Sequence, residues 1–286
     1  MKRFFIPTLS FLLILALFAG CTRNPEAAEE SADSQSLSEQ DGGTKSYTLS
    51  EAAAINARIK DSDIDLIQFN EPESAQEIVI IKTSMGDIEV VLYPNEAPMA
   101  VENFINHARA GYYTGLTLDN VLKNFIVEGG DPDNKGGESA FTDDDSHPYF
   151  KNEYSLSLWN FRGALGMANK TGQDKNGSRF YIVQASFVDE ETLETMKEAG
   201  YPQELIDKYE EVGGVPGFDW KRTVFGMVTE EGMKVVDAIA RLPVDESGKP
   251  EESVVIDSIS VAGSDGSADS DDADEEDGDV ESEESE

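Results

Sequence analysis

Residues 119–132 read DNVLKNFIVEGGDP, and the segments ALGMAN (164–169), GSRFYIV (177–183) and RTVFGMV (222–228) follow in the same style. Each is a short apolar or β-branched run cut off by Gly, Asn or Pro. Strands that short, separated by loops, predict a closed β-barrel or a sandwich rather than a parallel α/β sheet. Upstream, EIVIIKT (77–83) and IEVVLY (88–93) alternate with period two about Met85-Gly86-Asp87, which predicts a hairpin turning on those three residues. Pro98 then opens MAVENFINHARAGYY, where Val101, Phe104, Ile105 and Ala108 mark one buried helix face. Downstream, GMKVVDAIARL (232–242) has helical spacing and SVVIDSISV (253–261) reads as a last strand. The result is a mainly β domain with about eight strands and two principal helices. A charged, helix-prone stretch at 189–211 interrupts the strands as a surface insertion. Thr48-Leu-Ser-Glu51 fits a capping box ahead of AAAINARIK, so 46–70 form a short helical lead-in to a domain spanning 71–263.

Charge narrows the function. The 286 residues carry 22 Lys and Arg against 58 Asp and Glu, a net charge of −36. A field of that sign repels phosphate backbones, so nucleic acid is not a partner. Two histidines and one cysteine leave no set of ligands for a zinc site of the Cys/His kind and no internal disulfide. At the N-terminus, Lys2 and Arg3 precede the apolar run FLLILALF (11–18) and then Ala19-Gly20-Cys21. This predicts a signal peptide over 1–20, too short to span a membrane as a helix, with Cys21 as a bacterial lipidation site. The polar stretch 21–45 is then a flexible tether from the lipid-bearing Cys21, and the mature chain is extracytoplasmic, anchored to the bacterial cell membrane. Residues 264–286 hold 13 acidic side chains and no basic one, an acidic disordered tail.

Taken together, the segments resemble the cyclophilin-type peptidyl-prolyl cis-trans isomerases. Ala97–Tyr112, Phe125–Asp131, Gly163–Asn169, Asn176–Ile182 and Thr223–Gly226 occur in that family's order, with Gly232-Met233 and Val235-Val236 after them. The resemblance covers roughly residues 77 to 261. It implies a closed eight-stranded antiparallel barrel capped by two helices that isomerises proline-containing segments without cofactor or metal; the leader adds that these belong to exported polypeptides, and the chain is expected to be a monomer. Its reaction crosses a barrier of about 18–20 kcal/mol, because amide resonance resists twisting. No bond breaks, so the site has only to bind the twisted amide more tightly than either planar form.

Carried across residue by residue, the resemblance assigns the proline pocket to Phe125, Ile126, Tyr181 and Phe218. Glu128 stands at the family's glutamine, and Ala168 with Asn169 line the substrate groove. The family's catalytic arginine, in Phe-His-Arg-Val, corresponds to Asn120 in Leu118-Asp119-Asn120-Val121. The amide of Asn120 is uncharged, and charge-assisted hydrogen bonds are about twice as strong as neutral ones. Arg222, at a rim histidine, and Arg179, at a groove glutamine, are the candidates to supply the missing positive donor. Gly217 stands where the family has a Trp that supports cyclosporin binding. A second class of function fits the same residues: a binding module or chaperone for proline-containing segments, favoured by Asn120, Glu128 and Gly217. His107 is expected as a partly exposed imidazole near a helix end, His147 in a loop, and Asp143-Asp144-Asp145 as a solvated turn rather than a cation site.

Overall fold

The computed structural model describes residues 49–71, 77–132, 140–141, 148–169 and 175–261. The signal segment, Cys21, the tether, Thr48 of the capping box, Asp143–Asp145, His147 and the acidic tail lie outside the described residues.

Eight strands close on themselves: β1 (Ile78–Thr83), β2 (Gly86–Leu92), β3 (Thr117–Leu122), β4 (Ile126–Gly129), β5 (Ala164–Met167), β6 (Phe180–Val183), β7 (Val224–Val228) and β8 (Val254–Val261). Around the barrel their order is β1-β2-β7-β5-β6-β4-β3-β8, every neighbouring pair is antiparallel, and β8 pairs back onto β1. The β1–β2 hairpin turns one residue earlier than the sequence suggests, on Ser84-Met85, with Gly86 already paired to Thr83. The Thr83 hydroxyl sets this turn, donating to Gly86 O (2.7 Å) and accepting Met85 N–H (3.1 Å). Gly86 takes φ +131°, open to glycine alone among ordinary residues, so the glycine ends the turn instead of centring it.

Period two explains the filling. Ile88, Val90 and Leu92, Val127, Leu165 and Met167, Phe180 and Ile182, and Phe225 all point inward and form one core. Their strand neighbours Val91, Ile126, Ala164, Tyr181, Val183 and Val224 point outward, yet they too are buried, in a second cluster on the barrel's flank. Helix α1 (Leu49–Asn56) belongs to the lead-in; α2 (Pro98–Arg109) and α5 (Glu230–Ile239) pack against the barrel. Helix α2 has no side-chain cap of its own at Ala97. The Glu153 carboxylate serves instead, accepting Met99 N–H (3.1 Å) and Ala100 N–H (2.9 Å), a favourable place for negative charge. His107 is buried rather than partly exposed, because its ring lies 4.3 Å from Tyr112 and packs on Tyr113 and Phe141.

The insertion forms two helices, α3 (Glu190–Glu198) and α4 (Gln203–Val212). Asp189 caps the first by accepting Thr192 N–H at 2.7 Å. Its outer face is charged, as expected of a surface element, but its inner face supplies Met196, Leu205, Ile206 and Tyr209 to a third core with Trp159 and Phe161. Ile59, Ile64 and Leu66 of the lead-in join this core.

Candidate active site

The site is built on the flank cluster, and three local devices position it. The first is a β-bulge. In β3, Leu118 pairs with Gly129 and Asn120 with Glu128, so Asp119 is the extra residue. Leu118 and Val121 both stay in the core while Asp119 and Asn120 both face outward, which strict alternation forbids. The second is the β3–β4 turn. Asn124 sits at φ +58° with its N–H held by Gln184 Oε1 (2.7 Å), and Phe125 O accepts from Gln184 N (2.8 Å) and Ala185 N (3.1 Å). Gln184 is in turn bound through Nε2 to Asp237 of α5 (2.9 Å), which Arg162 grips at 2.7 Å through both oxygens. The third is Gly166, paired with Tyr181, whose ring lies where a side chain at 166 would project.

These devices bring together the four residues that the resemblance assigns to a pocket. The Phe218 ring stands 5.3 Å from Phe125 and 5.3 Å from Tyr181, edge-on to both, and Ile126 and Ala168 belong to the same cluster. Tyr181 is fully buried and donates to Asn160 Oδ1 at 2.5 Å. Burial pushes its phenol well above the usual range, with Arg222 pulling the other way. The Arg222 guanidinium lies 4.1 Å from the Phe218 ring centre and 5.3 Å from that of Tyr181. Asn169 is buried, its amide donating to Asn152 Oδ1 (2.9 Å) and lying within reach of Asn176 Oδ1 (3.3 Å) and Lys221 O (3.4 Å).

Asn120 donates through Nδ2 to Glu128 Oε2 (3.1 Å). The other Glu128 oxygen accepts from Arg179 Nε. Arg179 also reaches Asp131 (3.1 Å) and Asp119 (3.3 Å), so three carboxylates share one guanidinium. Burial pushes the Asp119 carboxyl up, while Arg179 opposes that rise. The two candidate arginines therefore differ: Arg179 is spent on carboxylates, whereas Arg222 makes no ion pair among the described residues and rests on aromatic faces. Gly217 is exposed, with nothing within 4 Å of where a side chain would start.

Sequence reasoning missed a buried network behind Tyr181. Asp219 accepts from Asn160 Nδ2 (2.8 Å), Tyr209 Oη (2.9 Å) and Tyr201 Oη (3.2 Å). Its position in the Gly217–Arg222 loop was visible, but its burial depends on the insertion folding back onto that loop.

A closed antiparallel barrel with an aromatic cluster on its flank and two helices packed on it is the cyclophilin architecture. Comparison agrees at every level. The cyclophilin type peptidyl-prolyl cis-trans isomerase/CLD family matches residues 78–261. Proteins named "Putative peptidyl-prolyl cis-trans isomerase" from Staphylococcus aureus and Staphylococcus epidermidis are each 42% identical over 197 residues, 68% of this chain and 96% of theirs. A crystal structure of a cyclophilin type peptidyl-prolyl cis-trans isomerase from Cryptosporidium parvum superposes with TM-score 0.51 at 25% identity, covering 65% of this chain and 97% of its own. A second crystal structure of that protein, in the presence of the dipeptide Ala-Pro, gives TM-score 0.50. The chain belongs to the cyclophilin-type peptidyl-prolyl cis-trans isomerase family. Its activity is isomerisation of the peptide bond before proline.

Proposed function

We propose that this isomerase acts on proline-containing segments of exported polypeptides at the outer face of a bacterial membrane, tethered there by a lipid on Cys21. The leader pattern ending at Cys21 and the polar stretch 21–45 support the location. In this reading Phe125, Ile126, Tyr181 and Phe218 hold the pyrrolidine ring while the preceding peptide plane turns. Ala168 and Asn169 line the groove for the adjoining backbone. The pyramidal prolyl nitrogen of the twisted amide then needs a donor, and Arg222 provides it. Asn120, bound to Glu128, is a weaker second donor.

The observation that carries this assignment is the guanidinium of Arg222 at 4.1 Å over Phe218, in the pocket wall and free of ion pairs among the described residues. A preorganised donor of this kind is worth about 2.7–4 kcal/mol in the transition state, roughly a hundred- to a thousandfold in rate. Arg222→Ala is therefore expected to slow cis-trans exchange of a short Xaa-Pro peptide by about two orders of magnitude, and Asn120→Arg to raise the parental rate. An Arg222→Ala protein as fast as the parent would refute the donor role. Labelled palmitate should enter the parent and not Cys21→Ser; equal labelling would refute the tether.

A further inference from the structure

The insertion is joined to the pocket by an unbroken chain of buried hydrogen bonds. From the α3–α4 connection and from α4, Tyr201 Oη and Tyr209 Oη meet the Asp219 carboxylate at 3.2 and 2.9 Å. Asp219 holds Asn160 through its backbone N–H (3.2 Å) and its Nδ2 (2.8 Å). Asn160 Oδ1 then receives the Tyr181 phenol. Every member except Tyr201 is at least nine-tenths buried, where a carboxylate persists only if its lone pairs are filled.

The same loop is held from a second side. Trp220, next to Asp219, adopts φ +60°, a conformation uncommon for a bulky side chain. Its indole N–H donates to Asn56 Oδ1 of α1 (2.9 Å), and Asn56 Nδ2 donates to Ala199 O at the end of α3 (3.1 Å). The loop carries Phe218 on one side of Asp219 and Arg222 on the other, and Phe218 O accepts the N–H of both Lys221 (3.0 Å) and Arg222 (3.1 Å). The carboxylate thus sits in the loop between Phe218 and Arg222, which the backbone hydrogen bond from Arg222 N to Phe218 O links directly.

We propose that Asp219 is a positioning residue through which the α3–α4 insertion sets the placement of Phe218, Tyr181 and Arg222, making the insertion a working part of the isomerase site. This rests on the isomerase reading of the pocket. The test uses the mature full-length chain with Tyr209→Phe, Tyr201→Phe and Asp219→Asn, read by peptide isomerisation, thermal unfolding and amide chemical shifts. Removing one phenol donor is expected to lower kcat about fivefold, the equivalent of one net hydrogen bond, with KM nearly unchanged. The amide resonances of Phe218, Trp220 and Arg222 should shift along with those of α4. Shifts confined to α4, with kcat at the parental value, would overturn the proposal. If Asp219→Asn fails to fold, the two phenylalanine variants decide. If the parent itself shows no turnover, the isomerase reading fails, and the shifts at Phe218–Arg222 still decide whether insertion and loop are coupled.

Discussion

Asp219 shows how one buried carboxylate ties stability to pH. Burial raises its pKa from 3.8 to about 6, although hydrogen bonds from Asn160, Tyr209 and Tyr201 work in the opposite direction. The folded chain thus binds this proton more tightly than the unfolded chain does. Its contribution to stability is fully present below pH 3.8 and is lost as pH rises through about 6. A shift of that size corresponds to on the order of 3 kcal/mol. The expected outcome is that the unfolding free energy of the parent, minus that of Asp219→Asn, falls between about pH 4 and pH 6 and is flat above. Denaturant titrations at four pH values measure it, and a flat difference throughout would contradict the assignment. Arg179 is the contrasting case: it neutralises part of a cluster of three carboxylates and thereby fixes Glu128 for Asn120.

At the scale of the element, β5 and β6 show why small residues matter as much as aromatic ones. Gly166 faces Tyr181 across the ladder, and a methyl group at 166 would collide with the phenol ring. Gly166→Ala is expected to destabilise the fold by about 1–3 kcal/mol through overpacking. It should also slow isomerisation, since the same ring packs edge-on against Phe218. The denaturation midpoint and peptide turnover check both, and an alanine variant matching the parent in each would show that the ring has room to spare. Much of this level was legible beforehand. The strands and both principal helices follow from period two, from Pro98 and from the spacing of apolar residues. The bulge at Asp119 was not foreseen: two adjacent polar residues between apolar Leu118 and Val121 break the period-two alternation, and only the register of β3 against β4 shows why. The one-residue error at the hairpin arose because Gly86 serves as the first paired residue, a choice set by the Thr83 hydroxyl. His107 was misplaced because nothing local announces that Phe141 folds over it.

For the whole molecule, three cores share the load: the barrel interior, its flank, and the cluster beneath the insertion. The third was invisible in the sequence, because it joins Ile59 and Leu66 of the lead-in to Leu205, Ile206 and Tyr209 some 140 residues away. Replacing 190–212 by a short linker would uncover Trp159, which is 2% exposed. Each fully buried Leu or Ile is worth about 1.5–3 kcal/mol, so this excision is expected to cost several kcal/mol and to loosen α1 as well. Tryptophan fluorescence moving to the red, with an early unfolding phase, would register it; an unchanged spectrum and midpoint would show the insertion to be dispensable. Barrel closure has its own consequence. With β8 joined to β1, no strand of the barrel presents a bare row of N–H and C=O groups to a visitor. Under the function proposed above, an incompletely folded chain would meet the aromatic flank of this barrel and find no open sheet edge to extend.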